Sequence, residues 1–446
     1  MHDPYIYRLA LLPLLLLALA CSSNARPYAD VEYAYEHVFN VLTYGALGDG
    51  QTDDTLAFER AWKATCSDKE SPSLYVPRGY NFLLQHLELN GPCASPSVHV
   101  QISGTLVAPS QLKRWTCGCQ DEWIKFARVE NLRINGRGKI FGNGAIWWDK
   151  DNLQQFLPGC DRPTSVRFHA CDNLELSELV FLDSPKNHIS ISGSTGGDIS
   201  KLHIIAPEDS PNTDGIDISY VSDLHIHNSR IETGDDCFAL NGGCARINIT
   251  NVKCGPGHGI SIGSLGKNGA EDCVEDILVR NCTLQRTQNG VRIKTWQGGR
   301  GYARRITFDD IKIYDSYNPI IIDQAYCDHT TCHPGSTAVK ISDITYSNIR
   351  GTSKHMKAIS LMCSEDIGNG CGNIVMKHVN LELGYQEMDK DLAYATCSNA
   401  HGIASNVFPE VSCLKKLNAF GSLMVPSKTR QWRIQDSTDG GANFVM

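Results

Sequence analysis

From Leu132 onward the chain repeats one pattern, h-x-h-x-x-h-x-h, in which h is mostly apolar. Clear copies are Leu174-Leu176-Leu179-Phe181, Ile247-Ile249-Val252-Cys254, Ile277-Val279-Cys282-Leu284, Ile306-Phe308-Ile311-Ile313, Ile344-Tyr346-Ile349 and Ile374-Met376-Val379-Leu381. Weaker copies begin at Gly197 and Leu224, so the starts fall at 174, 197, 224, 247, 277, 306, 344 and 374. Alternation within a copy predicts strands, and the Asn, Asp and Gly between copies supply bends. Recurrence at 20 to 40 residues means stacked repeats. Helical repeats do not fit copies rich in Ile, Val, Phe and Tyr, and a leucine-rich repeat would keep a stricter period. The expected fold is therefore all-β: a single-domain right-handed parallel β-helix, a solenoid that buries Ile and Val inside each rung.

Ahead of the repeats, residues 45–50 read as a turn, and Thr52 is expected to cap a helix with Asp53 and Asp54 in its first turn. Phe58, Ala61, Trp62 and Thr65 give that helix one apolar face, which would cap the open N-terminal end of the core. The β-helix core is expected at about 38–415, followed by an irregular C-terminal tail beyond Cys413.

Residues 1–25 read as a signal peptide, with Arg8, an apolar run from Leu9 to Ala20 and small residues at Ala18 and Ala20; the run is too short to span a membrane. The mature domain is then 26–446, secreted, with no membrane attachment after signal removal. Eighteen cysteines fit oxidised pairs outside the cell, and loss of Cys21 would leave one unpaired. Cys117-Gly118-Cys119 is too tight for a zinc pair, so no metal is expected. Asn248 and Asn281 open glycosylation sequons. A net charge of −8 argues against nucleic acid, and an acidic substrate would need a local basic patch.

Such a patch accompanies four polar clusters: Asn212-Thr213-Asp214-Gly215, Gly234-Asp235-Asp236-Cys237, Gly257-His258-Gly259 and Arg292-Ile293-Lys294. Asp214 to Asp236 and Asp236 to His258 are each 22 residues, close to one rung, so these three are expected to stack. Asp235 and Asp236 are adjacent and would face opposite sides of an ideal strand, unless Gly234 marks a bulge. Crowded carboxylates cannot all ionise, and the one that keeps a proton serves as a general acid. Arg292 and Lys294 project from one strand face and suit a carboxylate ligand. Taken singly, each cluster also reads as an ordinary turn, a calcium site or a basic strand edge.

Five segments in order resemble the polygalacturonases, the pectin-hydrolysing glycosidases, and their plant branch in particular. They are Ser210 to Asp217, Thr233 to Cys237, Cys254 to Gly266, Val291 to Trp296, and Asn318 to Gln324 with Tyr326. The resemblance runs from about residue 38 to about 415. It implies inverting hydrolysis of α-1,4 bonds in de-esterified polygalacturonate, with Asp235 as acid, Asp214 and Asp236 on the water, and His258 supporting the acid. It implies Asn212, Arg292, Lys294 and Tyr326 as substrate-binding residues and a Cys237–Cys254 disulfide. No cofactor, a monomer in the cell wall and proteinaceous inhibitors follow from the same resemblance. Phe238, Asp217 and Ala325 depart from the common pattern, which bears on chain-length preference. The competing activities are hydrolysis of branched pectin, calcium-dependent pectate lysis, and silent wall binding.

Overall fold

The computed structural model describes residues 37–115, 121–149, 160–328, 335–365, 370–384 and 392–417. The expected signal peptide, Cys117, Cys119 and the tail from 418 onward lie outside the described residues. No described helix is long and apolar enough to cross a membrane.

The chain winds as a right-handed parallel β-helix, each strand pairing with strands one rung before and after it. The eight repeat starts form one continuous row: Leu174 pairs with Gly197, then Leu224, Ile247, Ile277, Ile306, Ile344 and Ile374. A second inward row, Phe126, Phe168, Ile191, Ile218, Leu240, Ile262, Ile293, Ile322 and Leu361, lies under the sheet that carries the polar clusters. Both rows are buried apart from Gly197, so stacking like on like from rung to rung builds the core. At the bends the backbone enters the left-handed region at Asp223, Asn228, Asn251, Asp276 and Asn281, which is why Asn, Asp and Gly punctuate the repeats. Neighbouring bends are tied by Asn251 to Asn228 at 2.5 Å and by the Arg246–Asp223 pair at 2.6 Å.

The capping helix spans Thr55–Ser67, and Ala57, Phe58, Ala61, Trp62 and Thr65 are its buried residues. It begins later than the sequence suggests, since Asp49–Asp53 forms a strand and Asp53 Oδ1 accepts from Thr55 N at 3.0 Å. Asp54 turns away from the helix to accept from the backbone N–H groups of Leu47 and Gly48, at 2.7 and 3.0 Å. A Cys66–Cys93 disulfide fastens the end of the helix.

Further disulfides join Cys237–Cys254, Cys363–Cys371 and Cys397–Cys413. The expectation of a single unpaired thiol is corrected: Cys171, Cys244, Cys273 and Cys282 are all free, and three of them are buried. Cys282 occupies an inward repeat position, where a thiol packs as a small apolar group.

Candidate active site

Three turns on consecutive rungs build the site. The Thr213 hydroxyl accepts from Gly234 N at 3.0 Å and bonds the Ser210 hydroxyl at 2.6 Å, locking the Asn212 turn to the Asp235 turn. Any side chain at Gly234 would bring its Cβ to 2.1 Å from the Ser210 carbonyl oxygen, so only glycine permits this approach. Gly257, at φ +135°, does the same for the third turn, where a Cβ would lie 2.5 Å from Asp235 O. His258 N then donates to Asp235 O at 2.7 Å.

The adjacent carboxylates reach one cleft because the strand Asp236–Leu240 is irregular. Asp236 lies opposite Gly259, yet Phe238 lies opposite Ile260, so Cys237 is an extra residue in the ladder. Its side chain turns inward to the disulfide with Cys254. The irregularity also changes the stacking expected from the 22-residue rhythm: His258 meets Asp235, not Asp236, through Nδ1 at 2.8 Å from Oδ1.

Each carboxylate has its own surroundings. The Asp235 side chain is 16% exposed, and its Oδ2 lies 3.3 Å from the donating amide of Asn212. The Asp236 side chain is 1% exposed and accepts from Ser261 Oγ at 2.8 Å, Arg292 Nη2 at 2.7 Å and Lys294 Nζ at 2.8 Å. Burial opposes its ionisation, but the Arg292 and Lys294 charges outweigh burial and hold the carboxyl down at about 2. Asp214 is pushed well above the usual carboxylate range, first by burial and then by repulsion from Asp235, Asp236 and Asp217. Asp236 is therefore the fixed anion, and Asp214 is biased toward keeping a proton.

Arg292 and Lys294 sit differently from the simple substrate clamp read from their spacing. Both are buried against Asp236, because that carboxylate could not stay ionised in the protein interior without paired cations. Lys294 also acts on Asp214 and Asp217, so Arg292 and Lys294 together offset the concentrated acidity of the cleft. Lys294 Nζ also lies 5.1 Å from the Tyr326 ring centre, and Tyr326 packs edge-on against Trp296 at 5.5 Å. Asp235, Asp236 and His258 offer donor atoms close enough to share a metal ion, but a carboxylate already paired with two cations is a poor ligand for a third.

Three neighbours of the site gave no usable sequence signal. His188 is fully buried, and desolvation pushes its imidazole down to about 4, so it is neutral. Its backbone N–H and ring Nδ1 both donate to Asp214 O, at 2.8 and 3.0 Å, and Nε2 accepts from Ser184 N. Asp217, noticed in the sequence only as a departure, is raised to about 6 by burial and by Asp236, and the Asn187 and Asn241 amides bracket it. Arg162 donates to Pro211 O and, at 2.6 Å, to Asn212 Oδ1. That second bond fixes the amide so that Nδ2, not Oδ1, faces Asp235.

Arg162 is thus a positioning residue, and Arg162→Gln is expected to lower kcat by roughly 10–100-fold through misplacement of Asn212 and Asp235. The change should fall on kcat more than on KM and move the pH–rate profile. A variant that loses thermal stability while kcat and the pH profile stay put would contradict this role. Elsewhere on the solenoid, Asn248 and Asn281 are both exposed.

The model of the glycosyl hydrolases family 28 matches residues 66–412. Over 386 residues the chain is 43% identical to a probable polygalacturonase of Arabidopsis thaliana, covering 86% of this chain and 82% of that one. It is 43% identical over 357 residues to a polygalacturonase of Persea americana, with 80% and 76% covered. The fold superposes on the family 28 exopolygalacturonase of Yersinia enterocolitica with a TM-score of 0.68 at 18% identity, covering 87% of this chain and 79% of that one.

Proposed function

The chain belongs to glycosyl hydrolase family 28, and from that premise we propose that it hydrolyses the α-1,4 bonds of de-esterified polygalacturonate by a single displacement with inversion. The observation that carries the reading is the gathering of Asp235 and Asp236 in one cleft with different surroundings, Asp236 buried and held ionised by Arg292 and Lys294, and Asp235 more exposed and hydrogen-bonded to His258 and Asn212, with Asp214 coupled to both. Inverting hydrolysis needs both forms at once, an acid at the leaving oxygen and a carboxylate on the water.

In this reading Asp235 protonates the leaving glycosidic oxygen. It is more exposed than Asp236, and its hydrogen bonds to His258 and Asn212 fix its direction. Asp236 and Asp214 hold the attacking water, and the water's proton passes to this pair as the new bond to the anomeric carbon forms. The cluster titrates as a unit: with its shared proton on Asp235, Asp214 is ionised and can take the proton that the water gives up. Arg292 and Lys294, beside Tyr326, receive the uronate carboxylate. Asn212 supports the acid and borders the sugar.

The disulfides and the N-terminal apolar run support secretion, and a pectin substrate fits a protein that works in the cell wall. The test is product chemistry on purified polygalacturonate without added metal. Saturated oligogalacturonides with new reducing ends are expected. Unsaturated products that form only with calcium would replace hydrolysis by lysis, and binding without cleavage would leave a wall-binding protein.

A further inference from the structure

The outer face of the sheet adjoining the cleft carries a second cluster of donor atoms. The strands Ile189–Ser200 and Ile216–His227 run side by side there, with Asp198 opposite His225 and Ser200 opposite His227. His225 and His227 are two residues apart, so their rings share a face, stacked with centres 4.4 Å apart. The Asp198 carboxylate lies 3.1 and 3.2 Å from His227 Nε2 and 3.5 Å from His225 Nδ1. One donor atom from each of the three residues falls within 4.8 Å of the others.

We propose that Asp198, His225 and His227 bind a transition-metal dication of the zinc class. Two imidazoles and one carboxylate, with the remaining positions left to water, are a donor set that suits Zn²⁺. Tetrahedral Zn²⁺ with ligand bonds of about 2.0–2.2 Å sets donor atoms roughly 3.3 Å apart, close to the spacing Asp198 already keeps from both rings. The side chains are open to solvent, at 49% for Asp198 and 43% for His225, with His227 less so at 23%, so a hydrated ion can enter without unfolding a rung. His225 Nε2 is engaged by the Thr250 hydroxyl at 3.0 Å, which directs Nδ1 toward Asp198, the outer hydrogen bond that a ligating histidine usually has. Among the described residues the ion pairs of Asp198 are with these two histidines alone, and Glu175, itself 4.0 Å from Arg133, stands beside it on the preceding rung. The ion would clip two consecutive rungs together, on a different sheet from Asp236.

Titration calorimetry of the untagged, chelator-treated enzyme with zinc chloride, and with calcium chloride in parallel, tests the site. One Zn²⁺ per chain and a raised Tm are expected, with neither effect from Ca²⁺. His225→Ala and His227→Ala should each weaken zinc binding at least about tenfold while cleavage of polygalacturonate is unchanged. If either alanine variant folds poorly, His227→Gln keeps the volume and should show the same loss. No zinc binding at millimolar concentration, or binding undiminished in the variants, would overturn the proposal.

Discussion

Asp236→Asn is expected to lower kcat/KM on polygalacturonate by about 10²–10⁴, the usual range for removing a general acid or base. It should also destabilise the fold, an effect not expected of the other two cluster aspartates. Arg292 and Lys294 are buried against the Asp236 carboxylate, and a neutral amide leaves both charges without a counterion. Breaking one side of a buried ion pair typically costs roughly 3–5 kcal/mol. The pH dependence follows from the sign of the shift. The folded carboxyl is held at about 2, below its ordinary 3.8, so its stabilisation is present above the ordinary value and is lost as pH falls through the folded one. Urea unfolding should therefore separate wild type from Asp236→Asn near neutrality, and the gap should narrow at strongly acidic pH. Equal stability of the two proteins near neutrality would mean that the ion pairs do not anchor the cleft.

Asp235→Asn is expected to cost a similar factor, about 10²–10⁴, on the natural polymer, but for a different chemical reason. If Asp235 delivers the proton to the leaving oxygen, a galacturonide whose leaving group departs without protonation, such as a glycosyl fluoride, should bypass the defect. Asp214→Asn and Asp236→Asn should stay slow on the same compound, since activating the water does not depend on the leaving group. The comparison is informative because burial and its acidic neighbours bias Asp214 toward keeping a proton, whereas the resemblance makes Asp235 the acid. Rescue of Asp214→Asn instead of Asp235→Asn would exchange the two roles.

Much of the coil is readable in the chain because its outer sheet faces meet water. At Leu174, Leu224, Ile247 and their successors the inward residue is buried and the next is more exposed, so the alternation survives in the sequence and even the weak start at Gly197 falls in the same row. The sheet beneath the cleft hides itself for the opposite reason. Every residue of Asn289–Trp296 is buried, on the outward face as well as the inward, so Arg292 and Lys294 show the face they share but not the Asp236 that holds them. Contacts that cross rungs are also silent. Arg162 acts on Asn212 from 50 residues away and His188 on Asp214 from 26, and no local pattern joins such positions. At the N-terminal cap the misleading signal was local: Thr52 has the chemistry of a helix cap, but its backbone N–H and hydroxyl both bond Asp49 within a strand.

The central claim, a single displacement driven by this carboxylate cluster, is tested most directly by proton NMR of the first products, recorded before mutarotation equilibrates the reducing ends. The α-linked polymer should yield the β anomer first, with water added on the face opposite the leaving oxygen. The α anomer appearing first would require a covalent glycosyl intermediate on one of the three aspartates and would contradict the account.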